Sequence, residues 1–449
     1  MKLKTFKGGI HPPEKKETTN KIPVTKHQPT EEIIIPLRQH IGAPCEPIVA
    51  VCDHVFMGQK IGDSQAFVSA PVHSSVSGEV VDIKNHPHPG GGESLSIFIK
   101  NDFKDELDPS ITPWNVEFNP REVKKYVESL EPKEIIKKAR EAGITGMGGA
   151  AFPLHVKLSP PEGTKIDTVV INGAECEPYL TSDHRAMLER PQRILMGVLL
   201  MIKAVGAEKA IVAIESNKPD AIALMKVLAA DYPEITIASL KTKYPQGSEK
   251  QLIQAITKRQ VPSGGLPSSV GLIVSNIDTC SAIAYAVVCN RPLIERNVTV
   301  SGDAVTKPTN FSVRVGVKFR SLFESCDGFR VEPKKIVQGG PMMGISQCSM
   351  DVPVIKGTSG ILAFAEPETY GKEESFCIRC GKCVDVCPMR LMPNALSVFS
   401  VAGNTDKLAE YHIMDCMECG SCTYICPQRR FIVQHIKAGK TLLRAKMNK

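Results

Sequence analysis

The chain lacks a long apolar run. Among its 449 residues the longest uncharged apolar stretch inside the chain is residues 194–202, nine positions ended by Lys203. A membrane-spanning helix needs about 20, so none is expected. No apolar region follows the opening MKLKTFKGG, and a secretory signal is therefore not expected either. Aromatic residues make up only 5% with a single Trp, and no RNA-binding or helix-turn-helix motif is present, which argues against a nucleic-acid partner. An even set of cysteines is also missing. There are 15, and an odd number without a signal does not fit an extracellular disulfide framework. Hydrophobic residues at 42% and charged residues at 23% exclude a disordered or collagenous chain.

What is present divides into several units, since this length corresponds to about two to four domains. The net charge is 55 − 48 = +7, and the tail from Pro427 onward holds seven cations (Arg429, Arg430, Lys437, Lys440, Arg444, Lys446, Lys449) and no acid. The excess is thus a local patch. Apolar positions at residues 431–436 and at Leu442 and Leu443 lie among these cations, which suggests a helix resting on an anionic membrane face or on a membrane subunit.

Residues 1–30 read as a polar, extended arm. From Ile33 to Lys100 short β-rich runs (EIIIPL, EPIVAV, QAFVSAPV, GEVVDI, SLSIFI) alternate with turns, predicting a small β-domain within residues 1–119. Residues 121–142 carry Glu, Lys and Ile at helical spacing, with Gly143 as a stop. Strand-like TVVING, AIVAIES, ITIASL and GLIVSN then each precede a helix-like stretch, at residues 185–205, 219–230, 249–257 and 280–288. This alternation predicts an α/β domain with a mainly parallel sheet over residues 120–290. Short β-like segments around a helix at 318–325 suggest a small α+β module over 291–350. A β-like bridge and then a cysteine-rich segment fill 351–449.

The cysteines carry the strongest signal. Cys377, Cys380, Cys383 and Cys387 followed by Pro388, and Cys416, Cys419, Cys422 and Cys426 followed by Pro427, are two copies of C-x2-C-x2-C-x3-C-P offset by 39 residues. This is the bacterial ferredoxin pattern, in which three close cysteines wrap one cluster and the fourth crosses to the other. It predicts one [4Fe-4S] cluster on Cys377, Cys380, Cys383 and Cys426, and a second on Cys416, Cys419, Cys422 and Cys387. Structural zinc sites instead pair Cys-x2-Cys knuckles at a distance. The other seven cysteines have no ligand spacing and read as buried free thiols.

A second signal is the glycine-rich GITGMGGAAFP, residues 143–153. Such a loop lets backbone N–H groups approach a phosphate or flat ring, although it is not a Rossmann G-x-G-x-x-G. It keeps company with NGAECEP, YPQGSE and SNIDT, each after a strand-like run, where α/β sheets bind ligands.

GMGGAAFP with Lys157, NGAECEP, YPQGSE and SNIDT together resemble the flavin- and NADH-binding subunit of respiratory complex I. The whole order more closely resembles the RnfC family, the NADH-side subunits of Rnf ion-translocating ferredoxin:NAD oxidoreductases. That resemblance covers almost all of the chain. It implies a lipoyl-like barrel-sandwich domain, a Rossmann-like FMN/NADH domain, a β-grasp (SLBB-like) domain and a two-cluster ferredoxin domain. VFMGQKIGD and FVSAPVHSSVSGEVVDI carry the lipoyl-like part, without the Asp-Lys-Ala hairpin that attachment of lipoyl or biotin requires. By position, Gly146, Gly148, Gly149, Lys157, Asn172, Glu175, Tyr244, Gly247, Asn276 and Thr279 would line FMN. Phe152 would stack on the nicotinamide, and Glu177 and Glu249 would meet the NADH side. The chain departs from the complex I pattern at Met147 (arginine there), Ala151 (glycine), Ala174 (aspartate) and Ser248 (glutamate).

The resemblance further implies an NAD-dependent oxidoreductase subunit at the cytoplasmic face of a membrane. It would exchange electrons with other Rnf subunits and, indirectly, with ferredoxin. A cobalamin reductase of the propanediol-utilisation type has similar modules but carries the lipoyl-like domain last. A complex I subunit has one cluster rather than a duplicated motif. A non-catalytic iron–sulfur relay would not need the glycine loop and paired glutamates.

Overall fold

The computed structural model describes residues 3–366 and 373–447; Lys449 of the basic tail lies outside them. Its centre is a four-stranded parallel sheet in the order Ile235–Leu240, Lys209–Glu215, Thr168–Gly173, Leu272–Asn276. Both faces of such a sheet are buried, and its strands accordingly read as continuous apolar runs. Helices cover it, led by Pro191–Val205, which buries Ile194, Leu195, Met196, Val198, Leu199, Leu200 and Met201. Each such side chain contributes about 1.5–3 kcal/mol when removed from water. This helix packs tightly on Ile277–Cys289: a Cβ at Gly197 would stand 1.9 Å from the Cys280 carbonyl oxygen.

Two predicted helices are broken. The stretch at 121–142 forms Pro120–Glu128 and Pro132–Glu141. The stretch at 185–205 lies within Ser182–Glu189 and Pro191–Val205. Each second helix starts on its proline, which has no N–H to give to the preceding turn but suits the first helical position.

The N-terminal β-domain pairs Glu32–Pro36, Glu93–Asn101, Gly78–Pro87 and His54–Val55 in one antiparallel sheet. Glu46–Pro47, Lys60–Asp63 and Val72–His73 form a second. Ile33, Ile35, Val55, Ile61, Val72, Val80, Ile97 and Ile99 fill its interior and share one core with Val298, Val313, Phe319 and Phe323 of the next module.

That module is a six-stranded mixed sheet: Thr25–Lys26, Thr309–Arg314, Glu295–Ser301, Gly360–Phe364, Lys335–Gln338, Ile345–Gln347. Gly360–Phe364 lies in its middle, so the β-like bridge expected beyond residue 350 is part of this sheet. An edge strand comes from the N-terminal arm, Thr25–Lys26.

The arm is no loose leader. Lys4 pairs with Ser239 and Lys241, Gly9 donates to the Val386 carbonyl at 2.7 Å, and Ile10 exchanges both backbone bonds with Tyr244. It therefore ties the α/β, β-grasp and cysteine-rich units together.

The tail forms the helix Ile432–Met447. Ile432, Ile436 and Leu443 are buried in the core of the cysteine-rich domain with Leu396, Leu408 and Ile413, and Val433 is buried as well. Several of its cations already have acids: Arg430 meets Glu374 at 3.1 Å, Lys440 meets Glu418 at 2.8 Å and Lys446 meets Asp406 at 2.7 Å. Packing thus uses much of the apolar and charged surface that suggested a membrane-facing helix.

Candidate functional site

The glycine-rich loop runs from the end of Pro132–Glu141 into the short helix Leu154–Lys157. It closes on itself, with Gly146 N–H donating to Phe152 O at 2.8 Å and Leu154 N–H to Ile144 O at 2.9 Å. Met147 N–H donates to the Thr279 hydroxyl at 3.1 Å, which draws the loop to the start of Ile277–Cys289. A Cβ at Gly148 would meet Asn276 Nδ2 at 2.8 Å, while one at Gly149 would meet nothing within 4 Å. The loop is therefore pressed on Asn276 on one side and open on the other.

The strand-end loops converge there. Asn172 Nδ2 donates to Gly247 O at 2.7 Å, joining the NGAECEP and YPQGSE loops. Asn276 Nδ2 donates to Asp183 Oδ2 at 2.7 Å, and its Oδ1 caps its helix by accepting from Asp278 N–H. Lys157 Nζ sits 2.7 Å from Glu249 Oε1 and also donates to Val274 O at 3.0 Å. Phe152, near the end of the loop, is half-buried.

The two glutamates of NGAECEP point to different surroundings. Glu175, at φ +49°, accepts Asp183 N–H at 2.7 Å on Oε1, whereas its buried Oε2 has no hydrogen-bond partner. Glu177 accepts the N–H groups of Met342 and Met343, both at 3.0 Å, and lies 3.5 Å from the Tyr244 hydroxyl oxygen. Burial lifts its carboxyl to about 7 despite those donors. Glu177 thereby fastens the β-grasp module to the α/β domain.

Four groups at the site escaped the reading of the sequence. Lys16 of the arm is buried and donates to the carbonyls of Glu175 and Glu177, each at 2.9 Å, and of Leu180. Burial lowers its pKa, opposed by Glu175. Asp183 is lifted to about 7 by burial, then by Glu175 and Asp278. Asp278 pairs with Arg296 at 2.9 Å and accepts Asn297 Nδ2 at 3.1 Å. Arg296 also donates to Met147 O at 3.2 Å. Asp278 lies inside the quoted SNIDT; the other three had no local signal.

The cysteines gather as two sets. Cys377, Cys380, Cys383 and Cys426 line one cavity, and Cys387, Cys416, Cys419 and Cys422 line another. The second set is the one beside the strand-end loops: Tyr244 OH donates to Cys419 O at 2.8 Å, and Gln251 Nε2 to Pro388 O at 3.3 Å. The first lies outward, with Cys380 exposed and Phe376 and Ile378 exposed near it.

Four family models cover the chain in order. Residues 4–104 match the RnfC barrel sandwich hybrid domain, 139–285 the Nuo51 FMN-binding domain, 297–346 the SLBB domain and 376–429 the 4Fe-4S dicluster domain. One component of the Na(+)-translocating ferredoxin:NAD(+) oxidoreductase complex of Acetobacterium woodii is 46% identical, covering 100% of this chain and 99% of that protein. The chain belongs to the RnfC family. The matching component of the proton-translocating ferredoxin:NAD(+) oxidoreductase complex of Clostridium ljungdahlii is 48% identical over 99% of this chain and 95% of its own length. For that of the ion-translocating oxidoreductase complex of Rhodobacter capsulatus the values are 40%, 91% and 78%. Among solved structures, an NAD+-reducing [NiFe]-hydrogenase in the air-oxidized state overlaps with a TM-score of 0.47 at 17% identity, covering 73% of this chain and 65% of that one.

The RnfC architecture is thus the one expected: barrel-sandwich, FMN-binding α/β, SLBB and dicluster domains. The residues present fit both kinds of cofactor. For FMN, the open side of Gly149 offers a cradle, and Glu175 Oε2, which accepts no hydrogen bond and faces the Lys16 ammonium at 3.9 Å, offers a buried acceptor. For the clusters, each cavity gathers four thiols. Burial and then the neighbouring Cys419, Cys416 and Cys387 push the Cys422 thiol up, a mutual repulsion that binding to a cation removes.

Proposed function

We propose that the chain is the peripheral electron-transfer subunit of a membrane-bound, ion-translocating ferredoxin:NAD+ oxidoreductase. It works between NAD(H), FMN and two [4Fe-4S] clusters. The carrying observation is the 2.8 Å bond from the Tyr244 hydroxyl to the Cys419 carbonyl, which joins the flavin-side loop directly to a cluster-binding loop. Bound FMN supplies the exchange between two-electron and one-electron chemistry, and the clusters supply one-electron carriage.

The protein's own part is orientation and electrostatics. Gly146, Gly148 and Gly149 let the backbone approach the flavin, with Asn172, Gly247, Asn276 and Thr279 holding the surrounding loops in place. The Lys157 ammonium balances phosphate charge, and its pairing with Glu249 keeps it aimed at the site. Phe152 offers a ring for the nicotinamide and Glu175 a buried acceptor. Glu177 and Tyr244 position the loop between flavin and cluster. The set containing Cys387 is the inner electron site, and the exposed set containing Cys377 is the outer one, where a partner protein of the complex exchanges electrons. No helix among the described residues is long and apolar enough to cross a membrane, and attachment to the cytoplasmic face runs through partner subunits.

The test is NADH:ferricyanide activity of the isolated chain after FMN and cluster loading. NADH oxidation that depends on FMN is expected. A folded, cluster-loaded chain with neither flavin affinity nor NADH oxidation overturns the reading and leaves an iron–sulfur relay. Release of flavin fluorescence on denaturation separates these two quickly.

A further inference from the structure

A cavity outside the proposed flavin site is lined by four arginines. Arg190 and Arg193 come from the junction of two α/β-domain helices, and Arg291 and Arg296 from the entry into the β-grasp module. Two carboxylates share the wall, Asp278 paired with Arg296 at 2.9 Å and Glu295 paired with Arg291 at 2.8 Å. Four cations against two anions leave two positive charges in excess, and no ion pair is formed by Arg190 or Arg193 among the described residues.

Arg193 is the informative one. It is only 9% exposed, and its buried Nη2 has no hydrogen-bond partner. Its Nε donates to Ser281 Oγ at 2.7 Å, leaving that hydroxyl's own proton for another acceptor. Its guanidinium carbon stands 4.0 Å from the Tyr285 ring centroid, so the ring holds the planar fork in place. Burying an unpaired guanidinium nitrogen is costly. The cost is removed when an anion accepts from it.

A further lining group narrows the anion. Asn297 donates through Nδ2 to Asp278, which fixes its amide orientation and leaves Oδ1 as a buried acceptor without a partner. A site with cationic donors and one spare acceptor suits an oxyanion that still carries a proton.

We infer that this arginine-lined cavity binds a phosphate group, as free hydrogen phosphate or at the end of a nucleotide. Met147 of the glycine-rich loop forms part of its wall, whereas Gly148 meets Asn276 on the flavin side. The cavity shares Met147, Asp278 and Arg296 with the groups that hold the glycine-rich loop, but none of the residues proposed to line FMN lies in its wall, and the inference does not depend on the electron-transfer reading.

The test is calorimetric titration of the full chain, loaded with FMN and clusters so that the flavin's own phosphate position is filled. Inorganic phosphate is expected to bind at one site per chain, with a dissociation constant below about 1 mM. Arg193→Met and the milder Arg190→Gln are each expected to weaken it by about tenfold or more. Sulfate, without a proton for Asn297, is expected to bind much more weakly. ADP that competes with phosphate marks a nucleotide as the source, and ADP that does not marks free phosphate; either result keeps the site. No binding by the folded wild type, equal binding by both variants, or sulfate bound as tightly as phosphate overturns it.

Discussion

The Arg296 guanidinium donates to the carbonyl oxygen of Met147 at 3.2 Å. An arginine of the β-grasp module thus holds the glycine-rich loop at Met147. The same guanidinium pairs with Asp278, in the first turn of the helix whose Thr279 hydroxyl accepts Met147 N–H. One buried ion pair therefore sets the loop from both sides.

Arg296→Met leaves Asp278 buried without its cation. Breaking one side of a buried pair costs about 3–5 kcal/mol, and a loss of that size is expected in urea unfolding, together with weaker FMN binding. Adding Asp278→Asn removes the stranded charge and is expected to restore part of the stability but not the flavin affinity, since Met147 O remains without its donor. Full recovery of both would show that the pair does not position the loop.

The crossing of the fourth cysteine is tested by pairs of substitutions. Cys387→Ser is expected to remove the inner cluster and about half of the iron. Adding Cys416→Ser should then cost nothing more, because both act on the same cluster. Adding Cys377→Ser should remove the remaining iron. Iron analysis and electron paramagnetic resonance read this out, and a Cys387→Ser, Cys416→Ser protein devoid of iron would rule out the grouping.

Why these cysteines were legible and the ion pair was not is a matter of sequence distance. Ligands of one cluster sit mostly within a single tight loop, so spacing alone carries the chemistry. The strands were legible too, as apolar runs in a sheet buried on both faces. Pro132 and Pro191 sat inside the predicted helices, but the apolar periodicity across them hid the breaks. Arg296 meets Met147 across 149 residues and Lys16 meets Glu175 across 159, and neither has neighbours that mark it as anything but a surface cation. Glu177 stood out in the sequence as the second glutamate of NGAECEP; its grip on Met342 and Met343 could not be seen without the fold.

Asp183 gives one part of the pH dependence, beside Glu177 and Glu215, whose carboxyls burial also raises to about 7. An unfolded aspartate titrates near about 3.9, whereas burial raises folded Asp183 to about 7. Between those values the folded chain keeps a proton that the unfolded chain has released, so this group's contribution falls as pH rises and is level above about 7. The FMN-free protein is expected to lose thermal stability from pH 5 to pH 8. In Asp183→Asn that decline should be shallower, with the variant gaining on the wild type toward pH 8. Parallel melting curves across the range would show that Asp183 is not the group responsible.

Lys16 is the arm's contribution to the flavin side. Its ammonium donates to the carbonyls of Glu175, Glu177 and Leu180, and Glu175 sits at a left-handed φ of +49° that a non-glycine residue adopts only when its surroundings hold it there. Lys16→Met keeps the length of the side chain but leaves those carbonyls without their donor, at about 1–3 kcal/mol for each one that stays buried and unpaired. The loop is expected to relax, and FMN to dissociate about tenfold or more faster by flavin fluorescence. Iron content should stay at the wild-type level, because the cysteine-rich domain has its own core around Leu396, Leu408 and Ile436. Unchanged flavin release in a folded Lys16→Met chain would mean that the arm only braces the domains. Iron lost along with flavin would mean that the arm's hold on the Val386 carbonyl, next to Cys387, is the contact that matters.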